Sequence, residues 1–414
     1  MSTAPQRITS YSRRAAVIFI ILTGVISLFA DMNYEGGRSV VGQYLQLLGT
    51  SAFALGLASG LGEFVGYAVR LISGTLADRT RKYWWFIIGG YVVQLCSLPA
   101  IGLVSGWRLA VVFLFLERLG KAIRKPALDA LMSFAAKQTG SGFGFGLHEA
   151  MDQIGAFLGP ALFSMFLFVG PLGTDLAAYR TGMLWLFAPA ALAVATTIAA
   201  KCLFPHPEKF EIPTKTPQIA FAGFPLVYWL LAGSAGLLAM GITDFPLVGL
   251  HLGRTGAFPE QAIPLLYAGA MAVDAAAAIL VGLWYDRFGL KVLGILFFVE
   301  VFTAPLLFLT PMPGIIAGMA LWGISVGTQE SILKAALGDR VPEDRRARAF
   351  GLFHTIFGAA WFVGSAAIGA LYEAWGAGPL VAFSVVVQAA AFVLFLYTLK
   401  IENAEPKAPA APQG

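Results

Sequence analysis

An all-α membrane protein of twelve transmembrane helices, arranged as two pseudo-symmetric six-helix bundles, is the fold this sequence predicts, and three observations predict it. The chain of 414 residues is 58% hydrophobic and only 12% charged, about half the charge of a soluble domain, so most of its surface cannot face water. Apolar runs of about 20 residues, the length a bilayer crossing needs, recur along the whole sequence. Short motifs of the first half return in the same order in the second.

The runs are Ala15–Leu47, Ser51–Ala77, Tyr83–Ser105, Leu109–Leu131, Gly144–Phe168, Thr181–Leu203, Phe224–Leu250, Gln261–Tyr285, Lys291–Thr310, Gly314–Leu337, Phe350–Ala374 and Pro379–Lys400. Basic residues collect in alternate connections. One side carries Arg7, Arg13 and Arg14, then Arg79, Arg81 and Lys82, then Arg124, Lys125 and Lys137, then Lys201, Lys209 and Lys215, then Arg340, Arg345, Arg346 and Arg348; the other carries Arg108, Arg180 and Arg254. The positive-inside bias therefore places both termini in the cytoplasm. These loops account for the net charge of +5, so no nucleic-acid partner is expected. Arg13-Arg14 reads as a cytoplasmic anchor and not an export signal, because no small-x-small cleavage site follows.

Residues 1–204 form the expected first bundle, 205–221 a central cytoplasmic loop, 222–400 the second bundle and 401–414 a disordered tail. The stretch Pro205–Pro217 is the only long polar interruption, and the end of the chain is rich in Ala and Pro.

Two hairpins carry the repetition. Gly74-Thr-Leu-Ala-Asp78-Arg79-Thr-Arg81-Lys82 is echoed about 208 residues later by Gly282-Leu-Trp-Tyr-Asp286-Arg287-Phe-Gly289-Leu-Lys291. Each lies between two apolar runs. A glycine one turn before the aspartate lets another helix approach, and the Asp-Arg pair suits the water interface. Glu117-Arg-Leu-Gly-Lys121 returns as Glu330-Ser-Ile-Leu-Lys334, and Phe145-Gly-Leu-His148 as Phe350-Gly-Leu-Phe-His354. The hairpin pattern resembles the loop between helices two and three of the major facilitator superfamily of secondary transporters, which recurs between helices eight and nine. The first copy departs from it at Arg81, where the family usually has glycine. The resemblance implies two parallel six-helix halves around a central cavity. It also implies a gating role for Gly74, Asp78, Arg79, Gly282, Asp286 and Arg287.

Ionisable groups at membrane depth cost about 2.5–3.5 kcal/mol each on insertion scales, so they face protein or a wet cavity and take partners. The first run carries Asp31, Tyr34, Glu35 and Arg38 on one helical face, beside Gly36 and Gly37. They read either as a coupling and substrate site or as a Glu35–Arg38 pair closing the outer mouth. The second run puts Glu63, Tyr67 and Arg70 on one face; Glu63 is a cavity residue or a structural partner of Arg70 or Arg38. The fourth run carries Glu117, Arg118 and Lys121, in which Arg118-x-Gly120 resembles the family's span-four arginine motif. That resemblance implies an arginine holding a nearby carboxylate ionised. Glu117–Lys121 and Glu330–Lys334 are also ordinary structural pairs at i,i+4. In the fifth run His148 and Glu149 open the helix, Asp152 lies deeper, and Gly155-x-x-x-Gly159-Pro160 partly resembles the antiporter signature of the family. The second half holds fewer such groups: Asp244, Asp274, Glu300 and the Glu330–Lys334 pair.

The candidate coupling and substrate residues are thus Asp31, Tyr34, Glu35, Arg38, Glu63, Arg70, Arg118, Asp152 and Asp244. Cys96, Cys202 and four scattered histidines offer neither metal-ligand spacing nor a nucleophile-base pair, so no metal, cofactor or enzymatic chemistry is expected. No Gly-x-x-x-x-Gly-Lys loop is present to use ATP. The expected function is secondary active transport of a small organic solute by alternating access, as proton-coupled efflux. Import of a polar or anionic solute by proton symport is the alternative, and a non-transporting receptor or scaffold a further one. The expected partners are a small-molecule substrate, protons and the lipid bilayer, for a monomer in a bacterial inner membrane.

Overall fold

Twenty-residue apolar runs with no water to satisfy their backbones must close their hydrogen bonds internally, and every run does so as helix. The computed structural model describes residues 12–139, 141–170, 173–206, 224–338, 340–341 and 346–404. The expected central loop from residue 207, the expected tail from residue 405 and the side chains of Asp78 and Lys334 lie outside the described residues. The helices are α1 (Arg13–Leu47), α2 (Ala52–Thr80), α3 (Tyr83–Ala100), α4 (Trp107–Thr139), α5 (Ser141–Val169), α6 (Leu176–Trp185), α7 (Phe187–Leu203), α8 (Leu226–Gly241), α9 (Phe245–Thr255), α10 (Ile263–Phe288), α11 (Gly294–Leu309), α12 (Met312–Thr328), α13 (Lys334–Gly338), α14 (Arg346–Trp375) and α15 (Ala377–Ala404). Side chains start several of them: Ser12, Ser51 and Asp175 accept from the backbone N–H groups of Ala15, Ala54 and Ala178 at 3.2, 3.1 and 2.8 Å.

Among the described residues nine helical stretches are long and apolar enough to cross a membrane. The chain is an integral, multi-pass membrane protein. Helix α4 is not one of the nine, because Glu117, Arg118, Lys121, Arg124, Lys125 and Asp129 dilute its apolar character. Helices α10 and α11 fall within one stretch of 50 residues, and α12, with 17, is apolar but shorter.

The chain divides into two compact units: Met1–Thr216 with Asp244–Ala272, and Pro217–Thr243 with Val273–Gly414. The segment Asp244–Ala272, which the sequence division assigned to the second bundle, therefore packs with the first six runs. In the first unit α1 is central. It crosses α5 so closely that a Cβ on Gly155 would overlap the Leu28 carbonyl, and one on Gly159 the Met32 carbonyl. At one end Phe19 meets Trp84 and Phe204 edge to face, with centroids 6.2 and 5.4 Å apart, and Trp84 Nε1 donates to the Phe204 carbonyl.

The first hairpin explains its own departure from the family pattern. Arg81 ends α2 at φ 54°, the one non-glycine residue with positive φ among those described, and donates its N–H to the Ala77 carbonyl at 2.8 Å. Gly289 occupies the corresponding place after α10 at φ 63°. Both copies make the same left-handed stop, but only the second uses the residue that adopts it without a Cβ clash. Arg81→Gly should raise the unfolding free energy by about 0.5–1 kcal/mol. A lower midpoint in a denaturant titration would contradict this.

In the second unit Phe297 and Phe395 stack at 4.6 Å, and Tyr228 Oη donates to the Ala349 carbonyl at 2.7 Å. Here the seventh run departs from its expected continuous helix. It breaks over Ile242–Asp244, between α8 and α9. Carbonyls at the end of α8 and in the break find side-chain donors: Gln388 Nε2 on Leu238 at 3.1 Å, Ser384 Oγ on Gly241 at 2.7 Å and Trp322 Nε1 on Thr243 at 3.2 Å. These donors satisfy the broken backbone at membrane depth. Pro246 in the first turn of α9 is what restarts the helix.

Candidate functional site

The charged residues of α1, α2, α4 and α5 gather inside the first unit as three groups. The first centres on Arg118 of α4. Its Nη1 lies 2.7 Å from Glu63 Oε1 on α2 and also donates to Tyr34 Oη on α1, while its Nε lies 3.4 Å from Glu117 Oε2. Lys121 sits one turn on, its ammonium 4.1 Å from the centroid of the Tyr34 ring. Glu63 thus takes neither Arg70 nor Arg38 as its ion-pair partner, and the guanidinium of Arg70 instead lies over Tyr67 at 4.9 Å. Glu117 likewise pairs with Arg118 and not with Lys121 as i,i+4 spacing suggested, because the Arg118 fork reaches two carboxylates while Lys121 turns toward Tyr34.

The second group joins α1 and α2 to residues 244–267. Arg38 Nη2 lies 3.9 Å from Asp244 Oδ1, and Ser59 Oγ donates to Asp244 Oδ2 at 2.6 Å. Tyr267 Oη donates to Glu35 Oε2 at 2.6 Å. Glu35 and Arg38, one candidate pair in the sequence, take separate partners, both drawn from beyond residue 240. Backbone contact supports these bonds, since a Cβ on Gly42 would overlap the Pro246 carbonyl. A cavity of about 30 Å³ is lined by Tyr34, Arg38, Ser59, Glu117, Arg118 and Pro246. Arg38 Nε and Glu117 Oε1 are both buried with no hydrogen-bond partner in the protein. The space suits one or two waters bridging such groups.

The third group lies at the α1–α5 crossing. Asp31 of α1 and Asp152 of α5 lie near each other there, with Ser27 one turn before Asp31. Ser27 Oγ also lies 3.4 Å from His148 Nε2. Beside this crossing, Arg124, counted among the loop cations from sequence, is buried within α4, donating to Gln94 Oε1 at 2.5 Å and Tyr91 Oη at 3.2 Å. The α3 partners Tyr91 and Gln94, three residues apart on one helical face, were not recognised in the sequence.

The hairpin residues are placed apart from these groups. A Cβ on Gly74 would come within 3.2 Å of Pro126, so α2 and α4 do approach closely there, whereas one on Gly282 would meet Ile332 at an ordinary 3.5 Å. Arg79, Asp286 and Arg287 are exposed. Glu330 is exposed on the π-helical turn Gln329–Leu333, so the second Glu-x-x-x-Lys motif does not lie on regular α-helix as the first does. A larger, apolar cavity of about 620 Å³, bordered by Phe163, Phe166, Trp185 and Leu186, contains none of the candidate residues. Met165, Val169 and Trp185 on its rim are exposed.

This arrangement of carboxyls against fixed guanidinium groups can bind and release protons and exchange ionic partners. Residues 226–414 match the family model described as Major Facilitator Superfamily. A relative from Methanocaldococcus jannaschii, described as an uncharacterized MFS-type transporter, is 26% identical over 372 residues, covering 86% of this chain and 88% of its own. The chain belongs to the major facilitator superfamily. An uncharacterized protein of Mycobacterium tuberculosis (strain ATCC 25618 / H37Rv) is 34% identical to this chain over 392 residues, 94% of each chain. In fold this chain is similar to a bacterial homolog of the human lysosomal transporter Spinster, crystallised in an inward-facing and unoccupied conformation. That likeness has a TM-score of 0.74 at 16% identity, and covers 97% of this chain and 100% of the other. Family and fold are those of transporters.

Proposed function

We propose that this superfamily member is a proton-coupled secondary transporter that exports a small organic solute by alternating access, without covalent chemistry. The observation that carries the reading is the buried network that runs from Glu63 and Arg118 through Tyr34 to the Arg38–Asp244 and Glu35–Tyr267 contacts. Carboxyls buried beside fixed cations respond to protonation by releasing their partners. Here Asp244, whose cation is Arg38, and Tyr267, which donates to Glu35, belong to a segment far along the chain. A proton taken up in the network therefore biases whether that segment stays packed on α1.

The proposal includes twelve crossings in two six-helix bundles. The nine apolar stretches become twelve when the charged α4 and the short α12 each cross and the 50-residue stretch, about 75 Å long as helix, crosses twice. Both termini are then cytoplasmic, as the loop charges favour, in a bacterial inner membrane. The partial antiporter pattern Gly155-x-x-x-Gly159-Pro160 favours export. Import of an anionic solute is the second reading, favoured by Arg70, whose Nε is buried without a hydrogen-bond partner.

Flux in proteoliposomes with and without an imposed pH gradient, screened over small organic solutes, tests the function. The expected result is solute movement that a proton ionophore abolishes; gradient-insensitive flux would refute the coupling, and no flux of any solute would favour a receptor or scaffold. In the same liposomes, with exposed Cys96 and Cys202 replaced, a cysteine at Asp175 should label only from the outer side. Labelling from the cytoplasmic side would reverse the orientation.

A further inference from the structure

Four cations of the first unit face the Glu63 carboxylate: Arg118, Arg38, Lys121 and Arg70. Two of them meet carboxylates, Arg118 at Glu63 and Glu117, and Arg38 at Asp244. The other two rest against ring faces, Lys121 at 4.1 Å from the centroid of Tyr34 and Arg70 at 4.9 Å from that of Tyr67. Among the described residues neither forms an ion pair. Asp31 is the carboxylate that most affects Lys121, and it does not close on the ammonium.

Helix contacts set these two cations level with each other. Helices α2 and α4 run parallel, since a Cβ on Gly62 would meet Arg118 at 3.1 Å and one on Gly74 would meet Pro126 at 3.2 Å. Between those contacts Ser73 Oγ donates to the Ala122 carbonyl at 2.7 Å. Arg70 comes three residues before Ser73 and Lys121 one before Ala122, so at about 1.5 Å per residue their backbones stand at nearly the same height. Both side chains are half-buried, which leaves them within reach of a solute. Like charges so placed at membrane depth repel each other, and a ring face attracts a cation without accepting its in-plane N–H groups. Arg70 Nε is buried with no acceptor. What both cations lack is an anion.

We propose that Arg70 and Lys121 bind the acidic group of the solute, which is therefore an organic carboxylate or an organic phosphate. The planar Arg70 fork offers parallel donors to two oxygens of either group, and the Lys121 ammonium adds the second charge. Tyr67 and Tyr34 preset the directions of the two cations. The assignment rests on the reading of this chain as a transporter of a small organic solute, and it holds for either direction of movement.

Equilibrium binding of radiolabelled benzoate to the purified full-length chain tests it without a gradient. Benzoate should bind saturably and be displaced by phenyl phosphate but not by benzyl alcohol; the tighter of the two anions identifies the acid group. Arg70→Gln and Lys121→Gln should each weaken binding about tenfold or more, the effect expected when one partner of a charge pair is removed. Arg70→Lys, which keeps the charge and loses the fork, should weaken it by a smaller factor. Arg108→Gln, which removes an exposed cation from the start of α4, should leave it unchanged. No saturable binding of either anion to wild type would overturn the site, as would equal displacement by benzyl alcohol. So would unchanged affinity in both Gln variants, or equal weakening in Arg108→Gln. If the Gln variants do not fold, unchanged affinity in Arg70→Lys would overturn the role of the fork. Anion binding that depends on Arg70 and Lys121, in a chain that moves no solute in liposomes, would refute the transport reading and leave the anion site standing. Flux of uncharged solutes alone would do the reverse.

Discussion

Arg118→Gln should abolish transport and lower the unfolding free energy by about 3–5 kcal/mol, the cost of leaving a buried ion pair with one member. The guanidinium serves Glu63 at 2.7 Å, Glu117 at 3.4 Å and the Tyr34 hydroxyl at once. A neutral amide in its place would leave both carboxylates without their nearest cation. Arg118→Lys should recover little, because one ammonium cannot reproduce the fork that reaches Glu63 and Glu117 from different nitrogens. Removing the opposing charge should recover more. In a double-mutant cycle Glu63→Gln should restore part of the stability lost in Arg118→Gln, with a coupling of about 0.5–3 kcal/mol, but none of the transport. A wild-type denaturation midpoint with normal flux in Arg118→Gln would show that this arginine neither holds the network nor takes part in the cycle.

The second large effect is steric. Gly42→Leu would place a side chain where the Pro246 carbonyl now lies, two residues from the aspartate that binds Arg38 and Ser59. Overpacking of this kind costs about 1–3 kcal/mol. If the segment Asp244–Ala272 leaves α1 during the cycle, the cost falls only on the packed arrangement and shifts the equilibrium away from it roughly 5–150-fold. A cysteine at Ala58, which lines the small cavity beside Ser59, should then react faster with an impermeant thiol reagent applied from outside. Asp244→Ala should move the rate in the same direction by a smaller factor, since it removes polar bonds and adds no bulk. Unchanged labelling in both variants would mean that these contacts are permanent packing and not part of a gate.

The helical class and most crossings were legible in the sequence because each depends on a local run of apolar residues. So was the charged face of α1, because residues 31, 34, 35 and 38 share it by helical spacing alone. Their partners were not legible. Glu35 meets Tyr267 across 232 positions and Asp244 meets Ser59 across 185, separations over which periodicity carries no information. For Arg38 the nearby Glu35 was the natural choice, yet Arg38 binds Asp244 at 3.9 Å while Glu35 accepts a bond from Tyr267. The break in the seventh run had a local sign that the hydropathy average concealed. Asp244 followed two residues later by Pro246 is a helix start inside an otherwise continuous apolar segment. Arg81 also had its sign, a basic residue where its repeat has Gly289, and the shared left-handed backbone gives that difference its meaning.

The first unit is assembled from two separated pieces of chain, Met1–Thr216 and Asp244–Ala272. During synthesis, therefore, α1 enters the bilayer long before its partners exist. The 232 positions between Glu35 and Tyr267 take about 10–50 s to translate at roughly 5–20 residues per second. Over that interval Glu35 and Arg38 must be tolerated by lipid, by the insertion machinery or by each other. The local pairing suggested by their spacing is then suited to a nascent intermediate, exchanged for Tyr267 and Asp244 once the later segment arrives.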